Sequence, residues 1–125
     1  MAKILISSCL LGLRTRYDGK SKKEKFERND KDILIPVCPE QLGGLPTPRE
    51  PADIVYTSSG KKAITRKSKY DVTENFLRGA KETLKLCELL NIKKAILKSK
   101  SPSCGRNGFT YNLLKNNDIN CIIKN

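Results

Sequence analysis

Thiols are the main groups with which this chain could do chemistry, because its 125 residues include five cysteines and no histidine. The absence of imidazole excludes Ser–His and Cys–His nucleophile pairs and every histidine metal site. Catalysis would therefore rest on cysteine, carboxylate, amine or hydroxyl groups, or on a cofactor. The number of cysteines is odd and the sequence has no secretory signal, so we do not expect a disulfide framework.

Three cysteines each follow an apolar run that is typical of a buried strand. They are Cys9, Cys38 and Cys104. Ligands bind beyond the carboxyl ends of parallel strands, so these thiols converge on one crevice if their strands are neighbours. Cys87 lies on the apolar face of a predicted helix, and Cys121 alternates with isoleucines in a predicted strand. We expect these last two cysteines to be core residues.

The elements that would position the thiols follow from hydrophobic periodicity. Short apolar runs predict buried strands at residues 3–8, 33–37, 93–98 and 119–123. A helix is predicted from Asp71, whose carboxylate would cap it, to about Leu90, with a hairpin before it and a short helix near residues 109–115. This order predicts a three-layer α/β fold with a small, mostly parallel, Rossmann-like sheet, built as a single domain from residues 1–125.

Prolines and charged residues limit the secondary structure that the segments between these strands can form. Five of the six prolines lie between Pro36 and Pro51. Pro36 places its strand at a sheet edge or ends it early. Residues 39–51 are predicted to form a stiff loop, neither regular helix nor inner strand, which either wraps the fold or closes an active site. Residues 20–31 are almost wholly charged, so any helix there lies on the surface.

The chain carries a formal net charge of +12, from 25 Lys and Arg against 13 Asp and Glu. Such a charge attracts polyanions, so nucleic acid, including tRNA, is one candidate partner. The other interpretation is a lysine-rich surface, because the lysines are spread along the chain and the tyrosines show no base-stacking spacing. No apolar run approaches the length of a membrane helix, and we expect a cytoplasmic protein.

Three converging thiols allow several kinds of site. Thiolates are soft ligands that favour zinc, copper(I) or iron–sulfur clusters. A closed four-ligand zinc site would need a fourth cysteine, whereas three thiolates leave one position open, as catalytic sites do. The sequence has no CxxC pair. Spacing alone therefore leaves a cluster, a redox or structural thiol site, and ordinary buried cysteines as alternatives.

Longer motifs surround the three cysteines. They are Ser7–Gly12 with Arg16–Gly19, Cys38–Arg49, Asp71–Thr73 and Ser101–Gly105. Together these segments resemble the thiouracil desulfidase family, over residues 3 to about 105. The resemblance implies a 4Fe–4S cluster held by three cysteines. It also implies removal of sulfur from a thiolated pyrimidine such as 2-thiouracil, to give uracil and sulfide without net redox change.

The resemblance implies a role for each matching residue. Cys9, Cys38 and Cys104 match the cluster ligands of the family. Glu40 and Ser101 match the polar residues of its chemistry. Glu40 would activate a water or transfer its proton, and Ser101 would hydrogen-bond the heterocycle or its sulfur. The alternative for Glu40 is a carboxylate that caps the turn after Cys38.

Ser8, Arg49 and Ser103 are further predicted to contact substrate. The sequence also departs from the family pattern in three places. Thr15 stands where many members carry an additional cysteine, the segment after Gly105 is shortened, and a glutamate common at the end of the last strand is missing. These departures bear on pocket closure and substrate choice rather than on the cluster.

Overall fold

A sheet of four parallel strands positions the rest of the chain. The computed structural model describes residues 2–23 and 30–124. In chain order the elements are β1 (Lys3–Ser7), a 3₁₀ helix (Ser8–Leu11), β2 (Ile33–Val37), α1 (Pro39–Leu42), β3 (Ala52–Thr57), β4 (Gly60–Thr65), α2 (Thr73–Leu90), β5 (Lys94–Lys98), α3 (Phe109–Asn116) and β6 (Asn120–Lys124). All four predicted sheet strands are present, each within about one residue of its expected bounds.

The strand order across the sheet is β2-β1-β5-β6. The three strands that precede Cys9, Cys38 and Cys104 are therefore neighbours, as the predicted convergence of thiols requires. Strand β2 lies at an edge of the sheet, as its proline predicts. Pro36 pairs with Ile6 of β1 and has no N–H to donate, a defect that an edge position tolerates.

Two helices cover one face of the sheet. Helices α2 and α3 pack against each other, and Cys87 of α2 joins Leu5 of β1 in one apolar cluster, against which Cys121 also packs. Ile4 and Ile6 face the opposite side, because alternate residues of a strand point to opposite faces, and the 3₁₀ helix packs there. These layers confirm the predicted α/β fold class and the core placement of the two remaining cysteines.

Helix α2 begins two residues after its predicted cap. The Asp71 carboxylate accepts a hydrogen bond of 2.9 Å from the backbone N of Thr73, the first helical residue. Hydrogen bonds from Thr73 hold the pKa of the Asp71 carboxyl below its ordinary value. The helix ends at Leu90, as predicted. Neither α2 nor any other helix of the described residues is long and apolar enough to cross a membrane.

The proline-rich segment departs from prediction at its start. Its prolines predict no regular helix, yet Pro39–Leu42 form the helical turn α1. Proline is tolerated at the first helical position, where an N–H would have no partner within the helix. Residues 43–51 form neither helix nor strand, as expected. Of the charged segment 20–31, residues 24–29 lie outside the described residues, so a surface helix there stays a prediction.

Strands β3 and β4 form the predicted hairpin, which is longer than the sequence indicates. The hairpin makes a separate two-stranded sheet. Ala63 of β4 is buried together with Phe76 of α2 and Phe109 of α3. The hairpin therefore packs against the two helices, and its first residue, Ala52, lies on the wall of the cavity described below.

Candidate active site

A cavity of about 450 Å³ lies at the carboxyl edge of the parallel sheet, and Cys9, Cys38 and Cys104 all line it. Cys9 lies in the 3₁₀ helix after β1, Cys38 joins β2 to α1, and Cys104 lies in the turn after β5. None of the three forms a disulfide. The structure thus brings together the thiols that strand-end placement predicts.

A serine hydroxyl organises the turn that carries Cys104. Oγ of Ser101 accepts hydrogen bonds from the backbone N of Ser103 at 3.2 Å and of Cys104 at 3.1 Å. A Cβ on Gly105 would lie 2.7 Å from both the N and the O of Ser101. Gly105 is not among the glycines with positive φ. Close backbone approach, rather than an unusual backbone angle, therefore requires glycine here.

Burial dominates the electrostatics of two of these thiols. It raises the pKa of Cys104 to about 12, although a hydrogen bond with Ser7 opposes the shift. Burial also raises the pKa of Cys9, with an added contribution from Cys38, while the positive charge of Lys98 opposes it. Both thiols are therefore protonated at neutral pH unless a metal displaces the proton.

Both carboxylate oxygens of Glu40 have partners. Oε2 accepts a hydrogen bond from Oγ of Ser103 at 3.0 Å, and Oγ of Ser101 lies 3.5 Å from the same oxygen. Oε1 accepts a hydrogen bond from Nε of Arg49 at 3.0 Å. Glu40 lies in the first turn of α1, but its hydrogen bonds come from Arg49 and the two serines, which capping of that turn does not explain. The structure instead places Glu40 beside Ser101, the other predicted catalytic residue, on the cavity wall.

The three predicted substrate-contact residues line the same cavity. Oγ of Ser8 lies 2.7 Å from Oγ1 of Thr15, and Oγ of Ser103 donates to Glu40. The Arg49 guanidinium forms an ion pair with Glu40 in which both side chains are nearly buried. Protein groups thus already engage all three side chains, and their contact with substrate stays a prediction.

Positive charge surrounds the cavity. Glu40 is the single carboxylate that the described residues place on its wall. The basic residues of the wall are Arg16, Lys22, Arg49, Arg66, Lys98 and Lys100. A cavity with this balance attracts anionic or electron-rich ligands.

Similarity to known proteins identifies the family of this chain. Residues 4–122 match the sequence profile of the 2-thiouracil desulfurase family. The chain belongs to this family. It is 43% identical over 116 residues to the uncharacterized protein YbbK of Bacillus subtilis (strain 168), across 87% of this chain and 76% of the relative. The structure is similar to that of the 4Fe–4S-dependent thiouracil desulfidase TudS, with a TM-score of 0.82 and 35% identity over 99% of this chain and 91% of that chain.

The thiols of this 2-thiouracil desulfurase family member fit a cluster better than a single ion. Among the described residues, no three His, Cys, Asp or Glu side chains are grouped so that they could hold one metal ion. In a cubane cluster each thiolate binds a different iron, so the ligands stand farther apart than those of one ion. The three sulfur donors that line one cavity are the donor type of such a cluster, whereas a structural zinc site is closed and four-coordinate.

Sequence reasoning does not indicate the contacts of two further residues that line the cavity, Lys98 and Thr15. Lys98 lies on the cavity wall, and burial lowers the pKa of its ammonium group. Its position at the carboxyl end of β5, shared with the thiols, is the signal that would have found it. The backbone O of Thr15 accepts hydrogen bonds from Sγ of Cys38 at 3.7 Å and Nη2 of Arg49 at 3.1 Å. A backbone carbonyl has no side-chain signature in a sequence.

Proposed function

We propose that this protein is a 4Fe–4S-dependent desulfidase that converts a thiolated pyrimidine such as 2-thiouracil, with water, to uracil and hydrogen sulfide. The observation that carries the proposal is the meeting of three thiols, from three strand ends, on one cavity. Membership of the 2-thiouracil desulfurase family supports the substrate class, and the likeness to TudS supports the cofactor. The proposal treats residues 1–125 as one desulfidase domain.

Cys9, Cys38 and Cys104 are the proposed cluster ligands, each holding one iron. When bound, the cluster supplies an iron without a protein ligand, a Lewis acid for the sulfur of the substrate. The buried thiols must lose their protons when the metal binds, so loading releases protons to solvent. Cys87 and Cys121 lie in the apolar core and have no part in this site.

Glu40 is the proposed acid–base residue and Ser101 the proposed hydrogen-bonding partner of the heterocycle. Oε2 of Glu40 would take a proton from the water that adds to the ring carbon bearing sulfur. The C–S bond would then break, and the carbon would keep the oxygen as a carbonyl. The departing sulfur would receive one proton back from Glu40 and the other from the added hydroxyl group, so that both water protons leave in hydrogen sulfide. No electrons are gained or lost, so the proposed reaction is a hydrolysis.

A thiolated base within tRNA is a second candidate substrate, which the basic cavity wall supports. Binding to the RNA backbone releases counterions, so the affinity for tRNA would fall steeply as salt is raised. The affinity for a free thiolated base would change little over the same range. Turnover of both substrates at low and high salt therefore separates the two candidates.

Anaerobically purified protein tests the proposal. We expect a coloured protein with about four iron and about four acid-labile sulfide per chain. With 2-thiouracil and no added reductant, uracil and sulfide should form in equal amounts. The same protein after removal of iron is the control and should be inactive. A colourless protein, or one that contains zinc and no labile sulfide, would contradict the cluster.

A further inference from the structure

The Arg49 side chain is saturated by protein partners. A guanidinium group carries five N–H donors in a rigid, planar fork. Nε donates to Oε1 of Glu40 at 3.0 Å. Nη1 donates to Oγ1 of Thr47 at 2.9 Å and to the backbone O of Pro46 at 3.3 Å. Nη2 donates to the backbone O of Thr15 at 3.1 Å and contacts Sγ of Cys38 at 3.8 Å. These five contacts use all five donors, so none is left for a substrate.

Burial distinguishes Arg49 from an arginine that waits for a ligand. Its side chain is only 6% exposed and that of Glu40 is 13% exposed. Arg66 lies on the same cavity wall and also pairs with a carboxylate, that of Asp53, but its side chain is 59% exposed. A buried charge that loses its partner is left without compensation, so the partners of Arg49 are held firmly.

The contacts of Arg49 join three separate segments of the chain. Thr15 belongs to the loop after the 3₁₀ helix, and the backbone N of Arg49 also donates to the O of Tyr17 in that loop at 2.6 Å. Cys38 and Glu40 flank the start of α1. Arg49 itself ends the family motif in the proline-rich segment. One side chain thus fixes a proposed cluster ligand and the proposed acid–base residue relative to each other.

We infer that Arg49 is a positioning residue, which holds the Cys38 sulfur and the Glu40 carboxylate in place and does not bind substrate. The inference rests on the proposed function, since it takes Cys38 as a ligand and Glu40 as the proton-transfer group. It also replaces the substrate contact that the sequence predicts for Arg49. Lysine could keep the charge but not the geometry, because its donors all sit on one nitrogen.

Kinetics and iron retention of Arg49→Lys test the inference. Replacing a residue that orients a metal ligand typically lowers metal affinity or activity by about 10- to 100-fold. We therefore expect faster iron loss to a chelator and a lower kcat, each by about that factor, with KM for 2-thiouracil changed by less than about threefold. The EPR spectrum of the reduced cluster should also change, because a donor to the Cys38 sulfur is lost.

Two further variants make the result decisive. Arg78→Lys, at an exposed position of α2 that does not line the cavity, is the control and should leave the rate of iron loss unchanged. Thr47→Val removes one acceptor and keeps Arg49, so it should act in the same direction as Arg49→Lys but more weakly, and it serves if Arg49→Lys does not fold. An increase in KM with unchanged kcat and unchanged iron loss would overturn the inference in favour of substrate binding. Unchanged values throughout would overturn it as well.

Failure of the proposed function would give a different result. In that case the wild-type protein would carry no iron or would not release sulfide. The role of Arg49 would then be read from alkylation of single cysteines, followed by mass spectrometry. Loss of the guanidinium contact should speed alkylation of Cys38 in Arg49→Lys and leave Cys87 unaffected. Equal alkylation rates for Cys38 in both proteins would overturn the inference without reference to iron.

Discussion

At the scale of single residues, the five cysteines divide into two environments. Cys9, Cys38 and Cys104 line the cavity, whereas Cys87 and Cys121 do not and pack in the apolar cluster that the buried side of Cys104 also joins. We expect replacement by alanine at any of the first three positions to abolish the cluster. Iron and labile sulfide content, measured for each purified variant, checks this expectation.

The core cysteines are the matched controls for that experiment. Burial raises the pKa of Cys87 to about 11, and neither Cys87 nor Cys121 lines the cavity that the other three thiols share. Cys87→Ala and Cys121→Ala should therefore keep their iron, with only the modest loss of stability that follows a smaller core side chain. Full iron retention by any one of the three cavity variants would refute the ligand assignment.

Glu40 is the residue whose chemistry a conservative change tests most directly. Glu40→Gln keeps the shape of the side chain but cannot carry a proton between water and product. We expect this variant to keep its colour and bind 2-thiouracil, and to release sulfide at least about a hundredfold more slowly. Single-turnover sulfide release is the measurement.

The control for Glu40→Gln is an exposed glutamate. Glu74 lies in the first turn of α2, at the surface, so Glu74→Gln should turn over normally. Normal turnover of Glu40→Gln would remove the acid–base role. Loss of iron from Glu40→Gln would instead make Glu40 a structural residue of the site.

At the scale of elements, the crossing of α1 and α2 sets the position of Cys38 and Glu40. The two helices approach so closely that a Cβ on Gly79 of α2 would lie 1.9 Å from the backbone O of Pro39. Nδ2 of Asn75 also donates to the O of Gly43 at 2.8 Å. Helix α1, which carries Glu40, therefore packs directly against the backbone of α2.

We expect Gly79→Ala to displace α1 from its contact with α2. In an unpacked helix the change would stabilise by about 1 kcal/mol, because alanine is the better helix former. Here the added methyl meets backbone, and we expect a loss of about 1–3 kcal/mol in the free energy of unfolding, together with slower sulfide release. Chemical denaturation and turnover measure the two effects. The control is Lys81→Ala, at an exposed position of the same helix, which should change neither stability nor sulfide release. A Gly79→Ala variant that is more stable than the wild type and fully active would disprove the close contact between the two helices.

At the scale of the whole molecule, the cavity gathers segments that are far apart in the chain. The proposed ligands come from the loops after β1, β2 and β5, so a bound cluster would connect three otherwise independent strand ends. Binding to the folded state alone raises stability, since the unfolded chain has no preformed site. Iron removal should therefore lower the unfolding temperature and increase hydrogen exchange in residues 39–51.

Calorimetry and hydrogen exchange before and after chelation check this prediction. Cys38→Ala is the control, because it should hold no cluster and so show no change on chelation. Equal unfolding temperatures for the iron-loaded and iron-free wild-type protein would show that the metal does not stabilise the folded state.

The strands, the long helix and the place of the thiols could all be predicted from the sequence. These features depend on local patterns: apolar runs such as Ile4–Ile6, the cap at Asp71, and the missing N–H of Pro36, which indicates an edge strand. Strand-end placement then predicted that Cys9, Cys38 and Cys104 converge, because carboxyl ends of neighbouring parallel strands share one edge. The motifs around them were sufficient to indicate the family.

The pairing of the polar groups in the site could be learned only from the folded structure. The partners of Arg49 come from positions as far away as Thr15, and two of them are backbone carbonyls. The contact of α1 with Gly79 likewise joins residues that are about 130 Å of extended chain apart. Such contacts depend on which segments the completed sheet and helices bring together. No local periodicity or propensity encodes them, because their energy exists only once distant backbone has been fixed in place.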